Sequence, residues 1–190
     1  MARLFLIMFL LMFAPNTASA GVNPQGIVMA TGSGPLTEKI DFGVFASAFL
    51  LPGSDPLFFF YAGPGFQVTD WWWSSPRVGL VMDWPDSGHA APILSLWNGL
   101  SFHDGDLTFF FETEVYVLNG GGLDYYGSYN VDLNVLPVSV GFHAEQLNEA
   151  VTTGPHISYP LNDHMVLGLQ HHWDFAEVHA IRGTIEMKFD

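Results

Sequence analysis

His156 and Ser158 stand two apart, which in an extended chain puts them on one face. An imidazole within hydrogen-bond reach of a hydroxyl can take its proton and make it a nucleophile, so this pair is the candidate for covalent catalysis. Such a pair needs an acidic residue to orient the ring, and the positions a dozen or so further on hold Gln170 and His172 instead. Eight histidines also raise the question of a metal. His171 and His172 are consecutive, so on a strand they point to opposite faces and do not enter one site. His143, His156 and His172 share a parity and can be gathered from neighbouring strands, whereas His164 and His179 lie apart from them. Spacing alone fixes no ligand geometry, and histidines hydrogen-bonded to carboxylates are the simpler reading, so no metal is expected. Glu112 and Glu114 lie about 6.6 to 7 Å apart along one strand face, from the strand rise. A glycosidase-like acid pair is one use of that spacing. Balancing Arg77, Arg182 and Lys188, or giving a pore a preference for cations, is the simpler one. Gly120-Gly121-Gly122 makes no phosphate cradle, because no helix follows it and no Lys-Ser or Lys-Thr pair appears.

The elements that position these groups are strands. From Lys39 onward the dominant period is two. Phe109, Phe111, Val115 and Val117 alternate with Phe110, Glu112, Glu114 and Tyr116, and Val131, Leu133 and Val135 alternate with Asp132 and Asn134. Val138, Val140 and Phe142 oppose Ser139, Gly141, His143 and Glu145. In the last stretch His179, Ile181, Ile185, Met187 and Phe189 oppose Arg182, Thr184, Glu186 and Lys188. No helical period of comparable length follows the first 20 residues. The pattern predicts an all-β fold of ten strands, near 38–50, 57–67, 72–84, 90–103, 107–118, 124–135, 137–147, 153–161, 164–173 and 178–189. Counts of eight or twelve also fit. Each strand approaches the roughly 9 to 11 residues that cross a hydrocarbon layer when tilted. Every second link is short, as at Asn162-Asp163, Leu136, 104–106 and 68–70, while the others, such as 119–123 and 148–152, are longer. That asymmetry, with an even strand count and both chain ends on one side, describes a single closed, up-and-down, antiparallel barrel spanning a membrane.

Residues 1–20 read as a cleaved export signal: Arg3, the apolar run Leu4 to Phe13, and Ala18-Ser19-Ala20. The run is too short for the roughly 20 residues of a spanning helix. Residues 21–37, with Pro24, Pro35 and several glycines, read as a periplasmic leader in which Ile27 to Ala30 could add a short strand, and 38–190 as the barrel. There is no cysteine, so disulfides contribute nothing. Charged residues are 13% of the chain and aromatic residues 15%, against about 25% charged in ordinary soluble domains. Something other than water must therefore cover much of the surface. Beyond residue 20, nineteen acids face four bases, near −15, which excludes nucleic acid and a basic lipid-binding patch.

Alternation alone leaves open a soluble periplasmic barrel, with its apolar parity turned inward around an apolar ligand. The charges favour lipid outside. Lys39, Arg77, Arg182 and Lys188 share the polar parity with Asp41, Asp83, Glu112, Glu114, Asp132, Glu145 and Glu186. A few ion pairs of this kind can fill a lumen. Gly43, Gly79, Gly99, Gly141 and Gly168 on the same parity suit a narrow interior. Aromatics cluster toward strand ends at Trp71-Trp72-Trp73, Trp84, Tyr125-Tyr126, Tyr159, Trp173 and Phe189, the depth of interfacial girdles.

With these features the chain resembles bacterial outer-membrane β-barrel proteins beyond residue 20, at the level of architecture. The resemblance implies residence in the outer membrane, contact with its lipid, and recognition by the barrel-assembly machinery through the C-terminal strand. That class commonly ends in Phe, whereas here Phe189 is followed by Asp190. The implied role is a non-enzymatic, porin-like narrow channel for small solutes or cations, or a structural protein of the envelope, without a cofactor. The His-x-Ser spacing at His156 and Ser158 resembles that of outer-membrane lipid A deacylases, which implies a lipid-modifying enzyme as the alternative. In that case Ser158→Ala abolishes deacylation.

Overall fold

The computed structural model describes residues 22–51, 53–83, 90–118, 122–135, 137–174 and 179–189. The expected signal, residues 1–20, and Trp84 lie outside these. Eleven strands are found among the described residues: β1 Val22–Pro35, β2 Ile40–Leu50, β3 Leu57–Thr69, β4 Trp72–Asp83, β5 Ala90–Phe102, β6 Leu107–Val117, β7 Leu123–Val135, β8 Val138–Leu147, β9 Ala150–Asn162, β10 Met165–Trp173 and β11 His179–Phe189. A single 3-10 turn, His103–Gly105, joins β5 to β6. Each strand pairs antiparallel with the next, and β1 pairs in parallel with β11, which closes the barrel. The period-two reading from residue 38 onward thus matches β2 to β11, one strand for each of the ten expected segments.

The eleventh strand is the difference. Residues 22–35, expected as a leader, are a full strand of the wall, bonded to β2 on one edge and β11 on the other. Pro24, Gly26, Gly32, Gly34 and Pro35 have poor strand propensity, but two ladders outweigh local preference. Asn23, Gln25, Ile27, Met29 and Thr31 turn inward, so the outward set of β1 is Pro24, Gly26, Val28, Ala30, Gly32 and Gly34. An odd meander can close only through a parallel pair, and this moves the ends of the meander. Val22 lies opposite His179 at one rim and Gly32 opposite Phe189 near the other. The start of the first strand and the end of the last therefore sit at opposite rims, not on one side. Links at the C-terminal rim hold two to four residues, and those at the opposite rim five or six, save Asn148-Glu149.

Parity decides what each face meets. Phe109, Leu133, Val140 and Phe142 point outward and are exposed, as are Val78, Leu94 and Leu96. Val131 and Ile185 share that outward parity. Within the strands every Asp, Glu, Lys and Arg falls on the inward parity. Asp83 ends β4 opposite Leu57, and its side chain lies outside the described residues.

Candidate functional site

The interior wall has two halves. Strands β2 to β6 turn rings inward. Phe45, Tyr61 and Trp97 meet at centroid distances of 5.1 to 5.7 Å, and Phe110 packs edge-on against Trp97 at 5.8 Å. With Ile93 they form the buried apolar cluster of the lumen. Glycine makes room for the rings. A Cβ at Gly99 would land on the Trp73 indole, and one at Gly79 on the Tyr61 ring and the Phe60 carbonyl. Arg77 crosses this half with its guanidinium 3.8 Å from the Trp97 ring centroid, its Nε donating to Ser75 Oγ at 3.1 Å. Glu112 and Asp41 act on its charge.

Glu112 and Glu114 stand side by side on β6, opposite Trp97 and Ser95 of β5. Glu112 is half-buried, whereas Glu114 is 1% exposed. Tyr116 Oη donates to Glu114 Oε2, and Tyr61 approaches the same carboxyl. Glu114 Oε1, Ser95 Oγ and Trp97 Nε1 are buried without a hydrogen-bond partner among the described residues.

Strands β7 to β11 with β1 carry the polar half. Arg182 NH1 lies 2.5 Å from Glu145 Oε1, and its Nε donates to Gln25 Oε1 at 3.1 Å, tying β11 to β8 across the lumen and to β1 beside it. His143 Nε2 and His172 Nδ1 are 3.2 Å apart, one ring donating to the other. Asp132 accepts from Ser139 Oγ at 3.0 Å and lies 2.6 Å from His156 Nε2. Glu186 reaches Lys188 at 3.9 Å.

Two cavities occupy the lumen. One of about 560 Å3 opens at the C-terminal rim and is lined by Lys39, Asp41 and Lys188 among others. One of about 1200 Å3 fills the middle and the long-link end. Thr31, Trp73, Arg77 and Trp97 line both, so they form the waist between the chambers. Among the described residues the larger chamber carries Glu112, Glu114, Asp124, Glu145, Asp174 and Glu186 against the cations Arg77 and Arg182. The smaller carries Glu38 and Asp41 against Lys39, Arg77 and Lys188.

The inward residues expected from the sequence are therefore distributed: Lys39, Asp41 and Lys188 at one mouth, Arg77 at the waist, Glu112, Glu114 and Glu186 in the larger chamber, and Asp132, Glu145 and Arg182 in the polar network. His156 and Ser158 are not brought together as nucleophile and base. The His156 ring turns its Nε2 to Asp132, and its Nδ1 has no hydrogen-bond partner among the described residues. Asp132 sits between His156 and Ser139, so the carboxylate, not the imidazole, is the shared centre. The three inward histidines do converge, with His143 at ring distances of 4.2 Å from His172 and 5.6 Å from His156. Among the described residues no group of three or more His, Asp or Glu is placed to hold a metal ion, and the Arg182 cation already lies on Glu145. His171 faces outward, as its parity requires, and pairs with His179 at 3.0 Å.

One feature went unread in the sequence. The ring wall of Phe45, Phe59, Tyr61, Trp73 and Trp97 is inward, so Trp73 and Tyr126 line the lumen, whereas Trp71 and Trp72 stack on each other outside it. The available signal was the small residues sharing their parity, Gly63, Ser75, Gly79, Ser95 and Gly99. No family model, curated protein or solved structure matches this chain.

Proposed function

We propose that this chain is a non-enzymatic outer-membrane β-barrel with a narrow, cation-preferring lumen. One observation carries the reading: within the strands no Asp, Glu, Lys or Arg lies on the outward parity, and large apolar side chains stand exposed there along each of the strands β2 to β8. Water does not select such a surface, whereas lipid does, since an outward charge near the bilayer midplane costs about 2 to 4 kcal/mol. Strands of eleven residues, such as β2, β6 and β11, rise about 3.4 Å per residue and at a tilt near 40° cover roughly 28 Å, the height of the lipid-facing band. The outer aromatics Trp71, Trp72 and Phe102, stacked at the C-terminal rim, fit its edge.

Within the lumen the acids of the larger chamber outnumber its cations, which supports passage or retention of cations over anions. The waist at Arg77, Trp73 and Trp97 keeps the path narrow. Short links facing the periplasm place residue 22 at the outer mouth.

The test is fractionation followed by a gel with and without boiling. The barrel is expected with outer membranes and to change mobility on heating, and recovery in the soluble periplasmic fraction removes the lipid from the reading. In planar bilayers under a KCl gradient, a small conductance reversing toward the cation potential is expected. An anion-directed reversal potential removes the cation preference.

A further inference from the structure

The surplus negative charge of the larger chamber is concentrated among rings. Arg182 is engaged by Glu145 and Gln25, and Arg77 lies on Trp97 with its Nε on Ser75 and its charge felt by Glu112 and Asp41. No Lys, Arg or His of the described residues stands within 4.0 Å of Glu114, which is 1% exposed and holds one carboxylate oxygen without a donor. On the next strand the Trp97 Nε1 donor, on a residue 8% exposed and opposite Glu112, is also unpartnered among the described residues. A carboxylate buried short of donors is costly to maintain. Here both residues line a chamber of about 1200 Å3, at or above the roughly 300 to 1000 Å3 of small-molecule sites.

We propose that the larger chamber binds a small amphipathic amine. Its ammonium group sits against Glu112 and Glu114, within the rings of Tyr61, Trp97 and Phe110, and its apolar body lies along Phe59. Glu112 and Glu114 hydrogen-bond each other, and the oxygen of Glu114 left without a partner requires an N–H donor, which selects a primary or secondary ammonium over a quaternary one. The ring faces attract the same positive charge. An anion is refused, because the acids outnumber the cations and both cations are engaged. A bare metal ion leaves the ring wall unused. The inference goes beyond the channel reading and does not depend on it, since a chamber narrowed at its waist retains a ligand whether or not the barrel conducts.

The test uses the full barrel refolded in detergent micelles and titration calorimetry with 2-phenylethylammonium, 2-phenylethanol and 3-phenylpropionate. The amine is expected to bind at least tenfold more tightly than the alcohol, and the carboxylate not at all. Glu112→Gln with Glu114→Gln brings the amine down to the level of the alcohol, while Glu38→Gln, in the smaller cavity at the opposite rim, leaves it unchanged. Glu112→Gln alone, at a half-buried position, carries the same test with a severalfold loss should the double variant fail to fold. Equal binding of amine and alcohol, the result of a proton shared between the two carboxyls, overturns the proposal, as does an affinity that the Glu112→Gln variants leave intact. Because the measurement is made in micelles, loss of the outer-membrane or cation-channel reading leaves it standing.

Discussion

The two halves of the barrel share one backbone pattern and one apolar exterior, yet hold their interiors in different ways. From β7 round to β1 the inward groups answer one another: Glu145 with Arg182, Asp132 with His156 and Ser139, and His143 with His172. From β2 to β6 the wall is packed ring against ring over glycines, and its charges are left with fewer partners. The orphans differ accordingly. In the polar half they are ring nitrogens of His143 and His156, whereas in the ring half they include a carboxylate oxygen. A hydrogen-bonded wall consumes its polar groups to hold itself together, while a wall held by packing can keep a charge in reserve for something else.

This contrast can be broken or sharpened by substitution, the largest effect being expected in the polar half. Arg182→Ala leaves the part-buried Glu145 without its cation and is expected to lower stability by about 3 kcal/mol, measured as the urea midpoint of the refolded barrel. Adding Glu145→Ala recovers much of the loss. Identical midpoints for the single and double variants would show that this pair does not hold the wall. Outside, the halves should not differ. Leu94→Arg and Phe142→Arg, at exposed mid-strand positions of the ring half and the polar half, are each expected to cost about 2 to 4 kcal/mol in a bilayer. A cost within about 0.5 kcal/mol, ordinary for a surface bathed in water, would sink the lipid assignment.

Gly99→Ala drives a methyl into the Trp73 indole, backed by other rings, and is expected to cost about 1 to 3 kcal/mol. Gly168→Ala meets chiefly the Thr184 hydroxyl, which turns about a single bond, so its cost should be the smaller. Reversal of that order in the same urea assay would mean that the rings yield more readily than the polar network. The smallest effect is expected from Arg77→Lys. It keeps the charge at the waist but loses the planar stack on Trp97, about 0.5 to 1 kcal/mol. Conductance is the sharper readout there, and an unchanged value would place the constriction elsewhere.

Much of the fold was legible because alternation is local. The parity of Glu112, Asp132 and Arg182 against Phe109, Val131 and Ile185 follows from the pleat alone, and so do the all-β class and the gathering of charge on one face. β1 was harder to read, because its prolines and glycines argue against a strand and its support comes from two partners distant in sequence, β2 and β11. In β3 the run Leu57-Phe58-Phe59-Phe60-Tyr61 is apolar on both parities, so no local rule separates the rings that enter the lumen from those that leave it. The candidate site was legible as residues and illegible as partners. His156 and Ser158 share a face, but the imidazole turns to Asp132, twenty-four positions away in the chain.

By itself, the sequence determined ten of the eleven strands, the face each charge must take and the small residues that let a narrow interior close. The tertiary structure alone decided the odd strand count, the opposite rims at which the first strand starts and the last one ends, and which acid meets which cation. The physical reason is one of range. The pleat repeats every two residues wherever the chain is extended, whereas closure and contacts across the lumen depend on register accumulated around all eleven strands, which no single segment encodes.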